Sequence, residues 1–318
     1  MTEIYSHSRL STFENCRKKF EFRYVLGLPE DSEGVEAFVG KRVHEVLERL
    51  YEFVGRQQLP KLEQVISRYN ANFDAQYDPE RIRIVKSGLD KDFYRALGVR
   101  CLSNFYRRHY PFDADETLGL EQRVSFNLDE SGEYVMQGIV DRIVRARDGA
   151  IEIQDYKTGS WVPTQSKLDQ DRQLALYQIG VAAEYGAGEP IRLVWHYLAK
   201  DKICSSTRNP EELEVLKQDV IGLIDEIRAT REFPAKKNAL CNWCGYKGYC
   251  PAFGGQIPAS HDATATATTT SATTTATTTA TTTATTTATT TAATAAAAAA
   301  AAATTAKTRP PTPTSELG

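Results

Sequence analysis

The sequence predicts an α/β fold, a set of strands flanked by helices, and three observations carry that prediction. Two β-rich runs, Tyr134–Ala146 and Ala150–Lys157, are separated by Arg147-Asp148-Gly149, and a short Asp-Gly connection between such runs signals a hairpin. Strand-like composition recurs before it at Gly119–Leu128 and after it at Ile191–Ala199. Around these strands, apolar residues recur at helical spacing.

In chain order, Ser8 is positioned to cap a helix whose apolar residues are Leu10, Phe13, Phe20 and Tyr24, with Cys16 near the stripe. A second helix, about Val35–Val54, buries Val39, Val43, Val46, Leu47 and Leu50. Its Gly40 and His44 share a side, and the glycine lets the helix approach a sheet closely. His44 on an apolar face is by itself more often a satisfied core residue than a ligand. Leu59–Tyr110 is a helical lobe rich in Arg, Tyr and Phe. Its Tyr69, Phe73, Tyr77, Phe93, Phe105 and Tyr106 are either core or platforms for unpaired bases, and Cys101 is structural. Glu121, near the start of the next strand, reads as an accessory carboxylate or as a surface residue. Lys167–Tyr185 is a helix with Gln173 and Tyr177 on one side, and Glu211–Arg231 is amphipathic.

Residues 1–254 have globular composition, ample for one sizeable core, whereas residues 255–318 do not. From Asp262 to Ala306 the chain is almost wholly Thr and Ala, which cannot bury enough surface to offset chain entropy. A disordered low-complexity tail is expected. The net charge of −3 gives no hint of nucleic acid, yet basic clusters at Arg17-Lys18-Lys19, Arg81-Ile82-Arg83 and Arg107-Arg108-His109 could form a local groove. With a polar start and no apolar run of about 20 residues, a cytoplasmic protein without a membrane span is expected. Six cysteines in that setting argue for metal or redox chemistry rather than disulfides.

The hairpin carries the chemistry. Side chains alternate along a strand, so Val135, Gln137, Ile139, Asp141 and Ile143 share one face, and Ile151, Ile153, Asp155 and Lys157 share another. Asp155 and Lys157 then project together, roughly 7 Å apart at the backbone. Carboxylates on an apolar face are costly unless paired or bound to metal. An Asp/Lys salt bridge satisfies that demand, and so does a divalent ion, because two carboxylates suit Mg²⁺ or Mn²⁺ and the ammonium can orient a water. Near the C-terminal end, Cys241, Cys244 and Cys250 place three thiolates within a short segment, one fewer than a closed tetrahedral site needs. There is no G-x-x-x-x-G-K-[ST] motif, so the chain supplies no ATP motor of its own.

The motifs Gly138-Ile139-Val140-Asp141, Asp155-Tyr156-Lys157-Thr158-Gly159 and Gln173-x-x-x-Tyr177, preceded by Gly40-x-x-x-His44, resemble the PD-(D/E)xK nuclease superfamily in its RecB-like branch. Val140 stands where the family name has proline. The resemblance implies a restriction-endonuclease-like mixed central sheet flanked by helices, with an N-terminal helical extension and a helical lobe. It further implies that His44, Asp141, Asp155 and the Tyr156 carbonyl hold Mg²⁺ or Mn²⁺. Lys157 would then orient the attacking water, while Gln173 and Tyr177 position the substrate. The same branch includes the CRISPR-associated four-cysteine exonucleases and the AddB C-terminal nuclease domain. Likeness to them assigns Cys16 as fourth ligand to Cys241, Cys244 and Cys250, holding a [4Fe–4S] cluster, with four-thiolate Zn²⁺ as the alternative; the family's Cys-Pro-Arg-Arg-Phe is here Cys16-Arg17-Lys18-Lys19-Phe20. The implied activity is a DNA exonuclease on single strands or ends, working with helicase, repair or CRISPR adaptation proteins. The alternatives are a catalytically silent DNA-binding module and a nuclease subunit active only in a helicase complex.

Overall fold

The computed structural model describes residues 3–257, residue 187 excepted; the low-complexity tail lies outside the described residues. A two-residue strand, β1 (Ile4–Tyr5), precedes α1 (His7–Asn15), whose cap is Ser6 and not Ser8. The short strand leaves Ser6 extended, and its hydroxyl accepts the Arg9 N–H at 3.2 Å. The single helix expected through Tyr24 is broken at Cys16, which is extended (φ −162°), before α2 (Arg17–Phe20) and a π-helical turn over Glu21–Val25.

β2 (Glu33–Gly34) leads into α3 (Val35–Gly55), whose Val39, Val43, Val46, Leu47 and Leu50 are buried as expected. The 59–110 region holds α4 (Leu62–Gln76), β3 (Ile82–Arg83, paired with β2) and α5 (Lys91–His109). Tyr69, Phe73, Phe105 and Tyr106 are buried there, so they pack the interior rather than stack bases. The hairpin forms as β5 (Val135–Ala146) and β6 (Ile151–Lys157), after β4 (Asp115–Asn127). Gly149 in its turn has φ +86°, a conformation open to glycine.

The helix expected at 167–185 is divided into α6 (Gln165–Leu168) and α7 (Arg172–Tyr185), because Asp171 caps the second by accepting the Leu174 N–H at 3.2 Å. β7 (Ile191–Tyr197) is followed by an unanticipated strand, β8 (Lys202–Ser206), and α8 (Pro210–Ala229) starts on an Asn209/Glu212 capping box.

The sheet runs β1-β5-β6-β7-β8, with β4 along the other edge of β5. β5–β6 and β7–β8 are antiparallel and β6–β7 is parallel, so the sheet is mixed. Helices cover both faces. Ile151, Ile153, Leu193 and Trp195 join Leu174, Leu176, Val220 and Ile224 in one core, while Tyr156 and Leu198 join α3, α4 and α5 in the other. Burying each such side chain contributes about 1.5–3 kcal/mol. Among the described residues no helix is long and apolar enough to cross a membrane.

In the second core the rings of His109 and His196 lie 5.3 Å apart, each with a buried Nε2 that has no hydrogen bond among the described residues. Burial, aided by the nearby Arg142 charge, lowers the His109 pKa to about 4. An unfolded chain protonates this imidazole near pH 6.5 and the folded one only near 4. Its contribution to stability is therefore full above pH 6.5 and lost as pH falls toward 4. His109→Phe is expected to flatten the acid limb, measured by urea unfolding at about pH 5 and about pH 7.5; an unchanged slope would remove His109 from the account.

Candidate active site

Strand register brings three carboxylates into line. Arg142 pairs with Gln154 in the β5–β6 ladder, so one step further Asp155 stands opposite Asp141. In the β4–β5 ladder Leu120 pairs with Arg142 and Gln122 with Val140, which puts Glu121 opposite Asp141 on the other side. On the reverse face the Arg142 guanidinium donates to Gln154 Oε1 at 3.1 Å, pairs with Asp115, and lies 3.6 Å from the centre of the Tyr51 ring. That buried network locks the register on which the alignment depends.

α3 brings His44 to this row. Its Nε2 lies 2.8 Å from the Tyr156 carbonyl, so the N–H donates there and Nδ1 is left facing Asp141 Oδ1 at 3.4 Å and Glu121 Oε1 at 3.9 Å. Asp141 Oδ2 accepts the Tyr156 backbone N–H at 2.7 Å. Gly40 is a looser approach than its sequence suggested: an added Cβ would meet Thr158 Oγ1 at 3.4 Å, ordinary contact.

Asp155 is 4 % exposed and bound up with the next residues of its motif. The Lys157 ammonium lies 2.7 Å from its Oδ2, an ion pair outside hydrogen-bonding geometry, since that oxygen has no hydrogen bond among the described residues. Gln173 closes a triangle: its Nε2 donates to Asp155 Oδ1 at 3.2 Å and its Oε1 accepts from Lys157 Nζ at 3.3 Å. Tyr177, one turn along α7, lays its ring against Gly138 of β5. A Cβ there would stand 2.1 Å from the ring. Gly138→Ala is accordingly expected to displace Tyr177, costing about 1–3 kcal/mol and lowering any activity that needs this ring, measured by urea unfolding and enzyme assay on the same preparation.

The electrostatics fit a cation. Burial raises the Asp155 pKa, opposed by Lys157 and reinforced by Asp141. Burial raises Glu121 to about 7, again with Asp141 adding to it. At His44 burial opposes the charged imidazole, but the hydrogen bond and charge of Asp141 win and the pKa rises to about 9. Lys157, despite burial, is raised by Asp155. With Glu121 ionised above about pH 7, three carboxylates outnumber the Lys157 ammonium and the His44 imidazolium by one. One ligand atom each from His44, Glu121 and Asp141 lies within 4.8 Å of the others. A nitrogen and hard oxygens at that span suit one Mg²⁺ or Mn²⁺. Solvent reaches the place through an open cavity of about 810 Å³ lined by Gly40, Lys41, His44, Glu45, Glu48 and Glu121. A larger cavity of about 1100 Å³, between α3 and α4, has no comparable cluster of ligands among the described residues.

Glu121 is the residue whose place the sequence left undecided. In an ideal strand its side chain would follow the alternation of β4, but its backbone is left-handed, φ +42°. No sequence signal marks that departure.

A second site stands apart. Cys16, Cys241, Cys244 and Cys250, all free thiols, line one shallow cleft. The helix break sets Cys16 there, and the facing segment is tied on by Asn238, which donates to the Asn15 carbonyl at 3.1 Å. Lys18, Lys19, Lys236, Lys237 and Lys247 share the lining, so thiolates and a bound anionic centre would meet compensating charge. Cys101 is buried in the α3–α5 core and takes no part.

A family model, the PD-(D/E)XK nuclease superfamily, matches residues 4–251. An ATP-dependent helicase/deoxyribonuclease component from Streptococcus uberis is 27% identical over 166 residues, 49% of this chain and 14% of the relative. Its counterpart from Streptococcus pyogenes serotype M3 (strain ATCC BAA-595 / MGAS315) is 26% identical over 160 residues, again 49% of this chain and 14% of the relative. The chain thus spans a small part of these relatives' length. The crystal structure of SSO0001 aligns over 77% of this chain and 95% of its own at 14% identity and a TM-score of 0.30, too loose a likeness to carry an argument.

Proposed function

The chain belongs to the PD-(D/E)XK nuclease superfamily, and from that premise we propose that it is a metal-dependent DNA exonuclease acting on single strands or on ends. The observation that carries this reading is the convergence of His44, Asp141, Asp155 and Lys157, from one helix and two neighbouring strands, on one charge-deficient site. A nuclease of this family hydrolyses phosphodiesters, and the donor set suits Mg²⁺ or Mn²⁺.

His44, Asp141 and Asp155 would hold the ion, with the second lone pair of the Tyr156 carbonyl available beside the His44 hydrogen bond. Bound there, the ion supplies Lewis-acid polarisation of the phosphoryl oxygen and a lowered pKa for the attacking water. Lys157, fixed by Asp155 and Gln173, stays charged, orients the water and stabilises the negative charge that builds on the phosphate. Water oxygen bonds to phosphorus as the ester P–O bond breaks, leaving a phosphate monoester and a hydroxyl. Gln173 holds the ammonium in line, and Tyr177, pressed on Gly138, would help position the substrate.

The four free thiols around one cleft support a [4Fe–4S] cluster, with four-thiolate Zn²⁺ as the competing occupant. Anaerobically purified protein is expected to be brown; a colourless protein with stoichiometric zinc would overturn the cluster.

The test is incubation with end-labelled single-stranded, duplex and flapped DNA in Mg²⁺ and in Mn²⁺, comparing wild type with Asp155→Ala and Lys157→Ala. Products that shorten from an end, lost in both variants, support an exonuclease. Intact DNA with the wild type in both metals favours a DNA-binding module. The names of the relatives, which describe parts of a helicase/deoxyribonuclease, favour a second reading in which cleavage needs a helicase partner. Co-purification of tagged protein with a helicase that restores cleavage would establish it.

A further inference from the structure

We propose that Glu121 is a ligand of the divalent ion, and that its left-handed backbone serves to deliver the carboxylate. The identity of the ion rests on the nuclease reading above, whereas the geometry does not.

β4 pairs with β5 through Leu120 on one side of Glu121 and through Gln122 on the other. The ladder therefore holds both flanks while this one residue turns to φ +42°. Few non-glycine residues occupy that region, and those that do are held there by their surroundings. Turned in this way, the Glu121 carboxylate joins His44 and Asp141 within 4.8 Å. The His44 Nε2–H is already committed to the Tyr156 carbonyl, so the nitrogen facing Glu121 and Asp141 is the one that an ion would bind in place of its proton. Asp155 stands differently. One oxygen accepts from Gln173, and the other has the Lys157 ammonium beside it but no hydrogen bond among the described residues. Glu121 is thus placed to share the ion with His44 and Asp141, while Asp155 divides itself between the ion and the lysine.

The competing account makes Glu121 only an ion-pair partner for a protonated His44. The two differ in what happens to metal binding without DNA. Mn²⁺ is titrated into the full-length protein with free ion followed by electron paramagnetic resonance, comparing wild type, Glu121→Gln and Glu48→Gln, the last altering another carboxylate of the same cavity. A ligand role predicts affinity about 10–100-fold weaker in Glu121→Gln and within about twofold of wild type in Glu48→Gln. Wild-type affinity in Glu121→Gln would overturn the proposal while leaving the nuclease reading intact if DNA is still cut. Weakened Mn²⁺ binding in Glu121→Gln, with a wild type that cuts no DNA alone or with a helicase partner, would uphold the ligand and sink the nuclease reading.

The backbone half has its own readout. Glu121→Gly and Glu121→Ala both remove the carboxylate, but only glycine relieves a left-handed residue. The glycine variant is expected to melt higher than the alanine variant in the absence of metal. Equal melting temperatures would overturn the claim that the turned backbone is held under strain.

Discussion

Asp155→Asn is expected to lower DNA cleavage on the order of 10³-fold. The substitution keeps size and shape, so the buried position in β6 stays filled, but it removes the charge proposed to hold the metal and the anion that fixes the Lys157 ammonium at 2.7 Å. Lys157→Ala should lose nearly as much by leaving the phosphate charge unanswered. Because the two groups act through one another, their effects should not add: Asp155→Asn combined with Lys157→Ala should be little worse than either alone. Single-turnover rates on labelled single-stranded DNA, with circular dichroism to show that the fold persists, measure this directly. Cleavage by Asp155→Asn within about tenfold of wild type would take the carboxylate out of the chemistry.

If the four thiols hold the proposed cluster, Cys16→Ser should lose its colour and about 3 kcal/mol of stability, roughly 6–12 °C in melting temperature for a domain of this size. The reason is topological. A group held by Cys16 and Cys241 closes almost the whole domain into a loop, and the unfolded chain loses that freedom. Without it, the two ends are still joined by a buried cluster of Phe22, Leu28 and Tyr246, an Arg17–Glu226 ion pair, the Asn238–Asn15 hydrogen bond and a stack of Phe20 on Phe233 at 6.1 Å, so the loss is partial. The pair is exposed and worth little, and the hydrogen bond contributes about 1 kcal/mol. Melting curves of anaerobically prepared wild type and Cys16→Ser measure the loss. Cys101→Ala is no substitute control, since that side chain is fully buried; Cys204→Ser, on β8, is the suitable one. Equal melting of wild type and Cys16→Ser would leave the four thiols without a structural role.

Local patterns survived folding where they depended on neighbouring residues alone. The hairpin follows from alternation and an Asp-Gly turn, and α3 follows from its apolar stripe. They failed where two local signals competed. Ser8 reads as the cap on paper, but β1 pairs with β5 and leaves Ser6 extended, so the helix starts two residues earlier. The helix through Tyr24 reads as continuous until Cys16 must face the C-terminal segment. Lys167–Tyr185 reads as one helix because Asp171 is both a tolerable interior residue and a good cap. The lobe aromatics could not be sorted between core and base stacking, because the same spacing serves both. Contact with α3 put Tyr69, Phe73 and Phe105 inside.

The alternation of side chains in β6 is a local property of extended chain, so the sequence by itself was enough to set Asp155 beside Lys157. In β5 it did not carry through, since Met136, Val140 and Ile143 share one core while Ile139 is 46 % exposed, so Asp141 does not stand in the apolar row expected of it. The sequence likewise placed three cysteines within one short segment. Which elements meet is not local. Helix packing turned His44 so that one nitrogen serves Tyr156 and the other faces the acids. Register across three strands aligned Glu121 with Asp141, and a left-handed backbone at one residue swung that carboxylate into the group. Those placements arise from sums of many weak contacts between distant segments, and no pattern of adjacent residues encodes them.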